Sequence, residues 1–172
     1  NKLSGKAKTA YELIKQNAFA KVIQITTKMQ KSKKEKERAV AEALAKYVMD
    51  RMNSDLEKLK DLEEQKQLQE LVETLKASTL LFKGIPEFDE TTEALLKAFN
   101  KGYGKSTYSN LMREKYSAAQ KTITKLLKGD PITQRIGTLM QHHLTEYIGN
   151  HLTEIKTLFE KGDVYQLVEK LK

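Results

Sequence analysis

The sequence predicts an all-α protein built from a multi-helix unit present twice in tandem, packed as a helical bundle or short helical array. Three observations carry this. Apolar residues recur at steps of three and four almost throughout. The 172 residues include only 8 Gly and 2 Pro, too few turn formers for the many reversals of an all-β chain. And the same order of parts appears in each half.

Composition narrows the functional classes. Cysteine is absent, which excludes disulfides, thiolate metal sites and thiol nucleophiles. No stretch approaches the roughly 18 apolar residues needed for a membrane-spanning helix. The chain carries 31 Lys+Arg against 23 Asp+Glu, a net charge of +8. It opens at Asn1 rather than Met, and no signal peptide is visible, so it reads as a fragment or a processed form.

The first helix is expected to start after Thr9, a hydroxyl cap, and to run to residue 30. Leu13, Ile14, Ala18, Val22, Ile25 and Met29 face inward in it. After Lys31-Ser32-Lys33-Lys34, a long helix covers 35–64 with Val40, Leu44, Tyr47, Val48, Met52, Leu56, Leu59 and Leu62 in one register. A third covers 67–83, with Leu68, Leu71, Val72, Leu75 and Phe82 inward. Gly84 and Pro86 then stop the pattern, and Asp89 reads as the cap of a short helix over 90–100. A fifth helix spans 107–128 after Ser106 or Thr107. Gly129-Asp130-Pro131 is the sharpest punctuation: Gly closes one helix, Asp caps the next and Pro occupies its first turn. The sixth helix, 131–160, carries Ile136, Met140, Leu144, Tyr147, Ile148, Leu152, Ile155 and Phe159, and a last helix covers 163–171.

The halves match at offsets of 96 to 99. Asn1-Lys2-x-x-Gly5-Lys6 matches Asn100-Lys101-x-x-Gly104-Lys105. Tyr11 and Phe19 match Tyr108 and Tyr116, and Leu56, Lys60, Leu62 and Glu64 match Leu152, Lys156, Leu158 and Glu160. Residues 71–76 and 167–172 agree at five of six positions, including a Glu and a Lys that no core register requires. The expected unit is about 97 residues long, with units at 1–99 and 100–172. The second is cut within its third helix, so the full protein is expected to carry further copies.

Candidate chemistry is sparse. Gly104-Lys105-Ser106 precedes a helix as in a phosphate-binding loop, but Phe99 stands where the motif needs Gly, and the preceding residues read as helix. A hydroxyl helix cap is the simpler reading. His142, His143 and His151 share a helix, yet His143 and His151 lie two turns apart, about 12 Å along the axis, too far for one metal. They are expected to be solvated or half-buried. No arrangement for nucleophilic or paired-carboxylate catalysis is visible, and no cofactor or metal is expected. Ile85, Pro86 and Phe88 are expected to staple the short helix after them, an exposed apolar contact being the alternative.

Lysine is the remaining feature. Lys28, Lys31, Lys33, Lys34, Lys36 and Arg38 form the densest basic patch, diluted by Glu35 and Glu37, and Lys121, Lys125 and Lys128 are its counterpart in the second half. Only 4 of the 31 cations are Arg, which disfavours bidentate, base-specific recognition of DNA. The leading expectation is a non-enzymatic interaction or scaffold module for a protein partner. The alternative is a peripheral binder of anionic lipid or nucleic acid through the Lys-rich faces. The composition resembles that of Lys-rich helical domains of secreted or surface proteins, which implies a secreted or effector role.

Overall fold

The structure, a computed structural model, describes residues 5–171. Every regular element among them is an α-helix, nine in all. The chain divides into two compact units, the first ending at Lys97 and the second beginning at Ala98.

The first unit opens with α1 (Gly5–Lys15) and α2 (Phe19–Gln30). Periodicity alone joins these into one helix beginning after Thr9. Thr9 instead lies within α1, where its hydroxyl donates to the Gly5 carbonyl. The chain reverses at Asn17, whose φ is 55°. The Asn17 N–H bonds the Ile14 carbonyl at 3.0 Å and the Ala18 N–H reaches the Leu13 carbonyl at 2.9 Å. This pair of bonds is the Schellman closure, which satisfies two carbonyls that a helix end leaves open.

The long helix α3 (Glu35–Glu64) runs unbroken through Asn53-Ser54. It ends in the same way: Lys66 has φ 58°, and Lys66 and Gln67 donate to the Glu63 and Leu62 carbonyls. Next comes α4 (Leu68–Phe82), which buries Leu68, Leu71, Val72, Leu75, Ser78 and Phe82. The Ser78 hydroxyl donates to the Asp55 carboxylate on α3 at 2.6 Å.

Pro86 opens α5 (Pro86–Asn100) rather than stopping a helix. Its missing N–H falls where a first turn leaves donors unused. Asp89 therefore lies inside α5, and its carboxylate reaches back to accept from the Gly84 N–H at 2.9 Å. Ile85 and Phe88 are neither an exposed contact nor a peripheral staple. They sit in the main core with Ala10, Phe19, Val22, Val48, Met52 and Phe82. The Phe82 ring is the hub, 5.3 Å from the Phe19 centroid and 5.5 Å from that of Phe88. A smaller cluster of Ala7, Met29 and Ala41 closes the other end of α1.

The second unit contains α6 (Gly102–Met112), α7 (Tyr116–Leu126), α8 (Pro131–Lys161) and α9 (Val164–Lys170). The single helix expected over 107–128 is again two. Glu114, at φ 57°, makes the reversal, with Glu114 and Lys115 donating to the Leu111 and Asn110 carbonyls. Thr107 is not a cap. It is buried in α6, and its hydroxyl donates to that of Thr122 on α7 at 2.6 Å. The start of α8 is as expected: the Asp130 carboxylate accepts from the Thr133 N–H at 3.0 Å, and Pro131 comes directly after it. Gly162, at φ 68°, closes α8.

Two glycines allow helices to approach closely here. A Cβ on Gly104 would lie 1.9 Å from the Ala98 carbonyl oxygen, and one on Gly137 would lie 2.9 Å from the Leu126 Cβ. At the same offsets the first unit has Ala7 and Ala41, both buried.

The helices of the two units thus begin at residues 5, 19, 35 and 68 in one and at 102, 116, 131 and 164 in the other, offsets of 97, 97, 96 and 96. Two pairs of left-handed reversals keep the same spacing: Asn17 with Glu114, and Lys66 with Gly162.

Candidate interaction surfaces

The basic patch of the first unit gathers at the turn between α2 and α3. Lys28 ends α2, Lys31, Lys33 and Lys34 occupy the connection, and Lys36 and Arg38 lie in the first turns of α3; all six are exposed. The turn has internal order. The Ser32 hydroxyl donates to Glu37 at 2.6 Å and accepts from the Lys34 N–H, while the Arg38 guanidinium donates to the Ser32 carbonyl at 3.0 Å. Glu37 and Arg38 are therefore partly spent on the turn. The counterpart residues Lys121, Lys125 and Lys128 are exposed along α7 and just past it. Lys125 is engaged with Tyr103, lying 4.7 Å from the ring centroid and 3.2 Å from the hydroxyl. The second patch is thinner and partly committed.

The aromatic positions shared by the halves behave unequally. Phe19 is buried, Tyr108 packs edge-on against Phe99 at 6.4 Å, and Tyr116 stacks on Tyr147 at 4.0 Å. Tyr11, expected to pack between helices, is instead exposed, with the Lys15 ammonium 4.6 Å over its ring. Tyr47, expected on the inward face of α3, is also exposed. Burial pushes the Tyr116 phenol pKa up, and its hydrogen bond with Tyr147 adds to the rise.

The histidines separate by environment. His142 lies 3.7 Å from Glu146, and the His151 ring stacks on Tyr147 at 5.9 Å. His143 is half-buried, and loss of hydration lowers its pKa; the nearby His142 lowers it further, against the pull of Glu146. Among the described residues no group of three metal-ligating side chains comes together. Gly104-Lys105-Ser106 lies within α6, with the Ser106 hydroxyl donating to the Tyr103 carbonyl. The Ala98 carbonyl closes the space above Gly104, so no phosphate cradle forms there.

The largest departure from expectation is on α8. Its apolar row is buried through Ile136, Met140 and Leu144, then continues into solvent. Ile148, Leu152 and Phe159 are exposed, as are Val164, Tyr165, Val168 and Leu171 of α9 and the turn beyond it. Ile155, Leu158 and Leu167 are half-buried between them in sequence. α9 buries no residue. It is tied to α8 by an ion pair of Lys170 with Glu154, whose carboxyl pKa is held down by the hydrogen bond and charge of that lysine.

Offset by 96, the same positions of the first unit lie inside. Met52 is 1% exposed where Ile148 is 46%, Leu68 is 1% where Val164 is 67%, and Leu75 is 1% where Leu171 is 64%. Periodicity predicts that these residues share a face; it carries no signal that one copy of the face is left open. No helix among the described residues is long and apolar enough to cross a membrane. Set against known proteins, the chain matches no family model, no curated protein and no solved structure.

Proposed function

We propose that the chain is a non-enzymatic helical module for binding a protein partner, and that its two units are copies of one ancestral helical unit. The offsets of helix starts and reversals support the duplication. The observation that carries the binding role is the open apolar row along α8 and α9. A contiguous apolar face of this kind on a charged chain marks a place where another surface is buried. The Lys-rich surface contributes to encounter rather than to specificity.

A second reading rests on the six exposed cations around the α2–α3 turn: loose attachment to phosphate-bearing surfaces, lipid or nucleic acid. Salt separates the two. Immobilised intact chain would be screened against a peptide-display library at high salt, and titrated in parallel with phosphatidylserine vesicles and single-stranded RNA over rising salt. The expected result is library clones that stay bound at high salt, with any vesicle or RNA binding weak and lost. Tight vesicle or RNA binding with no salt-resistant clones would replace the partner-binding reading with the second one.

A further inference from the structure

We infer that the open face of α8–α9 is a docking site for an acidic amphipathic helix supplied by another polypeptide. The inference deepens the partner-binding reading and rests on it.

The first unit contains the equivalent site in its filled form. There the second half of α3 is covered by α4 and the start of α5. Residues Leu68 to Leu75 of that cover have counterparts in α9 and the turn after it, Val164 to Leu171. The part without a counterpart is the stretch from Lys76 onward. It delivers Ser78, Phe82, Ile85 and Phe88, all buried, against Phe19, Val22, Val48 and Met52. In the second unit those receiving positions are Tyr116, Ala119, Leu144 and Ile148. The receiving surface is present, and its outer edge at Ile148 and Leu152 is bare.

Charge specifies the missing piece. Residues 1–67 hold 16 basic and 10 acidic side chains, a net of +6, and the covering segment 68–97 holds 3 basic and 6 acidic, a net of −3. The cover is thus apolar on one side and acidic on the other, laid over a basic body. The second unit, 98–172, holds 12 basic and 7 acidic residues, a net of +5, and lacks that acidic layer. A helix fitting the open face carries small or aromatic residues at the spacing of Ser78, Phe82, Ile85 and Phe88, with Glu and Asp outward. This is groove recognition by an amphipathic helix, with aromatic anchors supplying affinity and charge supplying steering.

The probe is a fluorescein-labelled peptide of residues 76–93 of this chain, titrated with the intact protein and read by polarisation. Saturable binding is expected. The double substitution Ile148→Asp, Leu152→Asp should weaken it by about tenfold or more while leaving helicity unchanged, since both residues are exposed. Replacing Glu87, Asp89, Glu90 and Glu93 of the peptide by Gln should weaken it at low salt. Absence of saturation, or binding indifferent to the double substitution, overturns the site. So does a protein that sediments as a dimer which the double substitution dissociates, because the occupant is then a second copy. Library clones that stay bound at high salt without the peptide binding would overturn this site and spare the wider reading. Loss of both overturns both.

Discussion

The α3–α4 pair of the first unit and the α8–α9 pair of the second start from nearly the same pattern and end in opposite states. Both long helices carry an apolar row over their full length, and both bear an exposed i,i+4 ion pair at corresponding places, Lys60–Glu64 at 3.7 Å and Lys156–Glu160 at 3.8 Å. The difference lies in the helix that comes next. α4 has 15 residues and ends in Phe82 at the centre of the core; α9 has 7 and reaches no core. A helix is held mainly by packing of its apolar face rather than by its own propensity. Half of α8 therefore lacks the neighbour that makes half of α3 rigid. Burial is a property of a pair of elements, and equal sequence pattern does not guarantee it.

Substitutions at matched positions sharpen the contrast. Phe82→Ala should cost the most, about 3–5 kcal/mol, because it empties the hub between Phe19 and Phe88. Denaturant unfolding would read the loss, and hydrogen exchange should rise in α1–α4 but not in α6–α8. Met52→Ala is expected to cost about 2–5 kcal/mol, and Ile148→Ala at the matching position within about 0.5 kcal/mol. Equal costs at the two positions would mean that the α8 face is covered in solution. Gly104→Ala should destabilise the second unit by about 1–3 kcal/mol, since its Cβ meets the Ala98 carbonyl. Ala7→Gly, the reverse change in the first unit, should cost about 0.5–1 kcal/mol through backbone entropy.

The smallest effect concerns pH. The folded-state pKa of His143 lies below its unfolded value because burial disfavours the charged ring. Between those two values the unfolded chain holds more protons, so the contribution of His143 is complete above about pH 6.5. It is lost as pH falls through the folded pKa. His143→Gln should flatten the acid limb of a stability–pH profile; an unchanged limb would place the cause elsewhere, with Glu146 and His142 the nearest titrating neighbours.

Much of the fold is legible in the residues. The bounds of α3, the cap of α8 at Asp130 and Pro131, and the glycine stop at Gly162 follow from periodicity and capping chemistry. The breaks at Asn17 and Glu114 are not legible, because both turn through the left-handed region without glycine, the usual marker of such a stop. Apolar residues continue in phase across each break, so periodicity reads straight through it. Of the candidate surfaces, the basic residues are visible as a run of charges. The open apolar face is hidden, because Leu152 and Phe159 have the same sequence signature as core.

By itself, the order of residues determined that this protein is helical, where its long helices lie, and that its parts recur at a spacing of 96 to 97 positions. Those features depend on backbone preferences and on neighbours three or four residues away, which any short window of sequence contains. Only the tertiary structure decided that α1 and α2 fold back on each other, that Phe82 becomes a hub, and that the second half of α8 faces water. Each of those depends on whether a distant segment arrives to cover an apolar face, and the free energy of covering it resides in neither segment alone.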